Sequence, residues 1–397
     1  MSSSKEKYVP IQKAESLLGV KKSSLYSYVS RKKINTIIDP KNHKKRLYSY
    51  DDIIKLLERK KASGIERIAQ NTLMFGEPVL ESSITLIEDS ILYYRGHSVG
   101  ALVEKYSFEQ VVSLLWTGDF VNTPDFSNLV IEPLHILSIT LPDIQKYLLE
   151  LEKRDFLSML SNDLTNIGWK ILISIVQDVT QNFGTNNSIA EKLASFFCPG
   201  IDHAAVIINT ALILIADHEL NSSSFTARIV ASTGANLFQV IIAGLAALSG
   251  YKHGGSINKV ELMQMELLQN FAFDKNLQNR LRRGEDIVGF GHNLYEAGDF
   301  RAKVLLRQIE KYFSSSKEFE IYKSLLDKLK SLKKQDPTID FVLLTLAKVL
   351  KTNSEFALFL FAYGRIAGWI GHAIEEYKRN KLIRPRAKYI GPMPNKK

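Results

Sequence analysis

At 397 residues, with 45% hydrophobic and 24% charged side chains, the chain has the composition of a soluble globular protein and enough material for more than one domain. A single cysteine, Cys198, excludes an intramolecular disulfide and suits a reducing compartment, and residues 1–5 lead into no apolar signal segment, so a cytoplasmic protein is expected. The net charge of +10 is confined to one end: residues 1–62 hold 16 Lys and Arg against 6 Asp and Glu, whereas the remainder holds 36 of each sign. Such asymmetry describes a basic module joined to a neutral body, with a polyanion as the natural partner of the module.

In the first segment, Ala14, Leu17 and Leu18 fall at helical spacing, Gly19-Val20 supplies a tight turn, and a second short helix is expected over residues 23–29. Two short helices joined by a glycine turn make a helix-turn-helix layout, in which the second helix enters the major groove. Lys21, Lys22, Ser24, Ser27 and Arg31 are the candidate contacts. Residues 37–50 read as a small hairpin or wing with His43, Lys44, Lys45 and Arg46 near its tip, suited to phosphate contacts. Ser49-Tyr50-Asp51-Asp52 then caps a helix through Ile53, Ile54, Leu56 and Leu57. The run Ala-x-x-Leu-Leu-Gly-Val, followed by Leu-Tyr-x-Tyr and Tyr-Ser-x-Asp-Asp, resembles the winged helix-turn-helix of excisionases and MerR-type regulators over residues 7–62. That resemblance implies DNA binding; a basic module that docks on protein is the alternative. Lys60-Lys61-Ala62-Ser63-Gly64 reads as a linker.

Beyond it, residues 79–87 and 91–94 are the strand-like runs. Arg95 and His97 follow in Tyr94-Arg95-Gly96-His97, where they either face a cleft or belong to a structural turn beside the small sheet. Ser107-Phe108-Glu109-Gln110 is a capping box that opens a helix with Val111, Val112, Leu114 and Leu115 on its apolar side. After this the pattern is helix upon helix, with no βαβ alternation and no phosphate-loop or dinucleotide glycine pattern. Residues 119–200, punctuated by Pro133, Pro142 and Asn186-Asn187, carry no motif. Residues 204–216 read as a core helix, too short and too interrupted by Asn209 and Thr210 to cross a membrane, and no membrane partner is expected. In residues 225–250 the small side chains of Ala227, Ala231, Gly234, Ala235, Ala243, Gly244 and Ala247 permit close helix approach and suit a subunit interface. Arg228, Thr233, Asn236 and Gln239 argue against a membrane span there.

Two glycine-punctuated loops each carry a histidine: Tyr251-Lys252-His253-Gly254-Gly255-Ser256, and Asp286-Ile287-Val288-Gly289-Phe290-Gly291-His292 with Tyr295, Asp299 and Arg301 after it. With Tyr94-Arg95-Gly96, Asp217-His218-Glu219 and Pro337-Thr338-Ile339-Asp340-Phe341, they resemble the citrate synthase family over about residues 70–395. The resemblance implies a mainly α protein: a large all-helical domain from residues 63–255 and 356–397, a small one from 256–355, and the winged module 1–62 in front. It also implies a homodimer.

Carbon–carbon bond formation from an acyl thioester needs a carboxylate to remove a weakly acidic proton and a donor to stabilise the enolate. By the resemblance, Asp340 is the base, His253 hydrogen-bonds the thioester carbonyl, and His292 polarises the ketone of a 2-oxo acid. His218, Arg301 and Arg365 would hold that acid, with Arg384 reaching into the neighbouring subunit's site, because guanidinium groups fit carboxylates bidentately. Gly289, Phe290 and Gly291 would let the main chain approach CoA. The implied substrates are acetyl-CoA and oxaloacetate, with no metal and no further cofactor. A 2-methylcitrate synthase using propionyl-CoA is the near alternative, and a DNA-binding metabolite sensor with slow or lost turnover is the alternative from another class. The chain departs from the family at Asn293 for a common Arg, Phe300 for Pro and Thr338 for Asn. It also lacks a His-Pro-Met turn, and a Tyr-Ser-Gly after Phe341.

Overall fold

Short apolar stripes shape the first of two units into which contacts divide the chain, Met1–Glu81 and Ser82–Lys397. The computed structural model describes residues 8–18, 20, 22–30, 34–40, 42–54, 80–120, 134, 138–154, 163–182, 187–387 and 389–392. In the first unit, β1 (Tyr8–Pro10), α1 (Ile11–Leu18), α2 (Lys22–Ser30), β2 (Thr36–Asp39) and β3 (Asn42–Ser49) follow one another. The strands form an antiparallel sheet in the order β1-β3-β2, with Tyr8 opposite Ser49 and Thr36 opposite Tyr48. Val9, Ala14, Leu18, Leu25, Ile34, Tyr48 and Ile53 make its core. The Asp52 N–H donates to Ser49 Oγ at 3.3 Å where residues 50–54 turn helical. His43, Lys45 and Arg46 lie along β3 and not at the hairpin tip alone, because the turn between β2 and β3 takes only two residues. Lys22 is exposed, Ser24 and Ser27 are half-buried; Lys21, Arg31, the linker and the boundary at residue 62 lie outside the described residues.

The second unit opens with a small antiparallel sheet of β4 (Thr85–Glu88), β5 (Ile91–Tyr94) and β6 (His97–Ser98) in sequential order. The strand expected from residue 79 begins only at Thr85. Before it, the Ser83 N–H and the Ser82 hydroxyl bond the Glu375 carboxylate at 2.8 Å each, so this stretch serves a side chain and no ladder. The Arg95 guanidinium bonds the Leu115 carbonyl at 2.8 Å and the Ser83 hydroxyl, and His97 meets Phe120 edge-on at 5.3 Å. Of the two readings for this segment, these contacts match the structural turn.

Helices then dominate: α3 (Val99–Lys105), α4 (Phe108–Thr117), α5 (Leu141–Arg154), α6 (Leu164–Thr180), α7 (Ile189–Phe197) and α8 (Ala204–Ile215) lead to α9 (Ser222–Ser232) and α10 (Leu237–Leu248). The capping box at Ser107 and Gln110 is formed. Residues 225–250 divide into two helices, because Gly234 takes φ +82° and Asn236 caps α10 through the Gln239 N–H at 3.1 Å. After them come α11 (Ser256–Leu268), α12 (Phe273–Arg282), α13 (Phe300–Phe313), α14 (Lys317–Lys333), α15 (Ile339–Val349) and α16 (Ser354–Arg379).

The axis of this unit is α16, against which α4, α6, α8, α9, α10, α11 and α15 all pack. It is long and apolar enough to cross a membrane, yet 94% of its apolar window is buried inside the protein, alongside the fully buried Arg365 and His372. Ala227 and Gly244 face inward within this chain; a Cβ at Gly244 would lie 2.7 Å from the Trp369 ring, so only glycine lets α10 approach α16 so closely.

Candidate active site

The His253 turn joins α10 to α11. Its N–H and that of Gly255 both bond the Gly250 carbonyl, at 2.8 and 3.2 Å, and a Cβ at Gly254 would meet Leu248 at 2.8 Å. The second loop uses Gly289 and Gly291 at φ +82° and +77°, backbone that L side chains rarely adopt. Between them Phe290 pairs with Pro337 as an antiparallel bridge, closed by Gly291 N–H to Asp336 O and Thr338 N–H to Gly289 O, each 2.9 Å. This short ladder fastens the loop of His292 beside the start of α15, where Asp340 stands in the first turn.

The Asp340 carboxylate is half-buried and held from both sides: Ser256 Oγ donates to Oδ1 at 3.1 Å and Thr338 Oγ1 to Oδ2 at 3.3 Å. Burial raises its pKa above the ordinary carboxylate value, with Arg301 and the Ser256 bond pulling the other way. A carboxylate so placed is a stronger base than one in water.

Three imidazoles are kept neutral. Burial first, then the charges of Arg365 and Arg301, push His253 down to about 4. Burial with Arg301 pushes His292 to about 4 as well, against a small opposing effect of Asp299. His218, at 5% exposure, is driven well below the usual imidazole value by burial and then by Arg301 and Arg365. The Leu294 backbone N–H donates to His292 Nδ1 at 3.2 Å, which leaves Nε2 to carry the proton and makes it the ring's donor. His253 Nε2 lies 2.8 Å from Ser223 Oγ, which also receives the Trp369 Nε1–H at 3.3 Å and has Asn221 Oδ1 at 2.7 Å. Asn221 Oδ1 and His253 Nε2 thus compete for one Ser223 proton. The ring of His218 meets that of His292 edge-on at 5.3 Å and has the Tyr295 hydroxyl 2.9 Å from its Nε2.

Arg301 is 3% exposed and grips Asp299 through Nε (3.0 Å to Oδ1) and a second guanidinium nitrogen (2.8 Å to Oδ2). Burial opposes both charges, but the pairing outweighs it, holding Asp299 below the carboxylate range and raising Arg301. Asp299 Oδ2 also accepts the Ile339 N–H at 3.0 Å, so the same carboxylate ties α13 to the head of α15. Arg365 donates from Nε to Ile215 O at 2.9 Å, and one of its terminal nitrogens is buried with no partner. Burial lowers its pKa. A buried guanidinium nitrogen without an acceptor is costly, and an anion would satisfy it.

The structure therefore links His253, His292, Asp340, His218, Arg301 and Arg365 through shared bonds and charges, with Gly289, Phe290 and Gly291 framing the second loop. Arg384 is exposed on the segment after α16, and none of the described hydrogen bonds or ion pairs joins it to this cluster. Sequence reasoning gave no role to Tyr295, Ser223 or Ser256, nor to His372, which pairs with Asp217 at 3.2 Å in full burial. His372 had a signal: it falls two helical turns after Arg365, on the same face of an apolar helix. The serines had none, since a hydroxyl bonded across the fold looks like any other serine. Among the described residues no three His, Cys, Asp or Glu side chains gather to hold a metal ion.

Known proteins carry the same framework. The family model for the citrate synthase C-terminal domain matches residues 73–159 and 170–386. Citrate synthase 2 of Bacillus subtilis is 29% identical over 348 residues, covering 78% of this chain and 93% of the relative. The 2-methylcitrate synthase 2 of Corynebacterium glutamicum is 26% identical over 343 residues, covering 77% and 90%. The crystal structure of citrate synthase from Thermotoga maritima superposes with a TM-score of 0.68 at 27% identity, covering 82% of this chain and 97% of that one. The ternary complex of carboxymethyl coenzyme A and oxaloacetate with citrate synthase from the archaeon Thermoplasma acidophilum gives a TM-score of 0.69 at 23% identity over 82% and 97%, a likeness of fold. With the family model spanning most of Ser82–Lys397 and the two histidine loops meeting at Asp340, the chain belongs to the citrate synthase family.

Proposed function

We propose that this protein is a citrate synthase, condensing acetyl-CoA with oxaloacetate and water to give citrate and CoA. The observation that carries the reading is a raised-pKa carboxylate, Asp340, fastened to the loops of two imidazoles held neutral, His253 and His292. Asp340 removes a proton from the carbon beside the thioester carbonyl, and His253 donates to the carbonyl oxygen as enol character develops. In the reacting tautomer the Ser223 hydroxyl donates a hydrogen bond to His253 Nε2, which leaves the ring proton on Nδ1 as the donor to the substrate. The enol carbon then attacks the ketone carbon of oxaloacetate, polarised by the Nε2–H of His292. Arg301, Arg365 and His218 hold the dicarboxylate; the unpartnered nitrogen of Arg365 supports this role. Water finally cleaves the thioester and releases CoA. The glycine loop 289–291 is assigned to CoA, and Arg384, exposed in one chain, to the site of a second subunit in a homodimer.

The test is oxaloacetate-dependent release of CoA thiol by purified protein, with acetyl-CoA and propionyl-CoA compared. Release that survives Asp340→Ala, or none from folded protein that still binds oxaloacetate, would overturn the reading. Faster release from propionyl-CoA would favour a 2-methylcitrate synthase, a reading supported by relatives of that name at 26% and 28% identity.

For the first unit we propose a winged helix-turn-helix that binds DNA in a cytoplasmic protein. It is supported by two short helices followed by a two-stranded hairpin, and by the confinement of the +10 charge to residues 1–62. Retardation of duplex DNA, lost with rising salt and lost with Lys22→Glu and Arg46→Glu together, tests it. Retention tuned by acyl-CoA in a protein without turnover would favour the metabolite sensor.

A further inference from the structure

Ser256 touches both halves of the proposed proton-transfer machinery. Its N–H donates to the His253 carbonyl at 2.9 Å, and its hydroxyl donates to Asp340 Oδ1 at 3.1 Å. The first bond closes the turn that carries His253; the second reaches across to the first turn of α15. The hydroxyl is half-buried and is the first residue of α11, so its backbone is fixed by the helix behind it. On the other side of the carboxylate, Thr338 Oγ1 bonds Oδ2 at 3.3 Å, while its backbone N–H is taken by Gly289 O. Both oxygens of Asp340 are therefore oriented by neutral hydroxyls, and each hydroxyl sits on a backbone anchored to one of the two histidine loops.

We infer that Ser256 is a positioning residue for the condensation: its hydroxyl fixes the rotation of the Asp340 carboxylate relative to His253 and favours the ionised form to which it donates. The inference rests on the assignment of Asp340 as the base. A donor bonded to a carboxylate favours the ionised form, so removing it raises the carboxyl pKa. Burial and Asp299 raise that pKa, whereas Arg301 lowers it. Of the charged groups on the packed elements, Arg365 of α16 acts on His253, Glu261 of α11 pairs with Lys348 two turns along α15 at 3.7 Å, and Lys303 of α13 pairs with Asp336 at 3.0 Å. Tyr322 of α14 faces Glu261. Ser256 is thus a neutral donor that, after Arg301 and together with Thr338, opposes the effect of burial on the Asp340 carboxylate.

The experiment compares kcat against pH for the full chain, Ser256→Ala and Ser256→Thr. The base acts only when ionised, so the acid limb of Ser256→Ala moves to higher pH, by about one unit for a hydrogen bond to a charged group. Its kcat falls while KM for oxaloacetate stays within about twofold, because the lost bond orients the base and not the oxo acid. Ser256→Thr keeps the hydroxyl and returns the limb to near the wild-type position. A limb that does not move in Ser256→Ala, or moves as far in Ser256→Thr, overturns the proposal. A purely structural role lowers kcat equally at every pH and leaves the limb in place. The Asp340 carboxyl carbon, identified in 13C-aspartate-labelled protein by its loss in Asp340→Asn, reports the same upward shift without turnover. If the wild-type protein does not turn over but Ser256→Ala still shows that shift, the Ser256–Asp340 coupling stands and the catalytic reading falls; an unmoved carbon resonance in an active enzyme does the reverse.

Discussion

The phenol of Tyr295 lies 2.9 Å from His218 Nε2, and this contact assigns the proton on the imidazole. Burial raises the phenol pKa, so Tyr295 stays protonated, and His218 is its hydrogen-bond partner among the described residues. The hydroxyl proton needs an acceptor in a site where only 2% of Tyr295 is exposed, so Tyr295 donates and Nε2 accepts. His218 then carries its proton on Nδ1, the opposite tautomer to that of its neighbour His292.

Tyr295→Phe removes only that donor. KM for oxaloacetate is expected to rise roughly tenfold, the equivalent of about 1.4 kcal/mol, as His218 loses its preferred tautomer, with KM for acetyl-CoA nearly unchanged. Steady-state kinetics with each substrate varied decides it; equal shifts in both KM values count against the tautomer argument.

Arg365 has a hydrogen-bonding need that the fold leaves unmet and that the proposed oxo acid would fill. It is 1% exposed with a terminal nitrogen unpartnered, so Arg365→Leu is expected to leave the Tm of the ligand-free protein unchanged or higher. Stabilisation by added oxaloacetate should vanish in the same variant. A marked loss of Tm without ligand would mean that Arg365 supports the fold.

Asp299 answers to the opposite logic. Its carboxylate satisfies both the Arg301 guanidinium and the Ile339 N–H in a buried setting. Asp299→Ala leaves a buried charge without its partner, and destabilisation of about 3–5 kcal/mol is expected from denaturant titration. A loss near that of a surface ion pair, about 1 kcal/mol or less, would show that water reaches the pair.

The depressed histidines set a pH dependence. His253 and His292 titrate at about 4 when folded against about 6.5 for an ordinary imidazole, so within that window the unfolded chain binds more protons. Stability therefore rises with pH across the window and is lost as pH falls from about 6.5 towards 4. Asp340, whose pKa is raised, acts in the opposite sense just above the usual carboxylate range. Thermal melts should show Tm falling through the window, with a shallower fall in the double variant His253→Gln/His292→Gln.

Packing offers a check on the fold itself. Gly244→Ala places a methyl 2.7 Å from the Trp369 ring, and a loss of about 1–3 kcal/mol is expected because α10 must move away from a buried aromatic. An unchanged melting curve would mean that the helices separate freely there.

Sequence alone determined what depends on local spacing or on chemical type. The capping box at Ser107, the core helix after Ala204 and the two glycine-rich histidine loops are set by residues within one or two turns of each other, and the split of charge at residue 62 by composition alone. The helical character of the body followed from its helix-upon-helix pattern without βαβ alternation, and its neutrality from the count of charges. The tertiary structure decided what depends on distance across the chain. Whether Arg95 faces a cleft could not be read from Tyr-Arg-Gly, because its guanidinium is taken by Ser83 and by Leu115 O, the latter 20 residues away. The run 225–250 hid a break that Gly234 and Asn236 impose. The neutrality of His253, His292 and His218 is a property of burial beside Arg301 and Arg365, and no motif encodes burial. The contacts of Ser256 with Asp340 and of Tyr295 with His218 span 84 and 77 residues, and such pairs acquire meaning only when packing of α11, α13 and α15 brings them within hydrogen-bond reach.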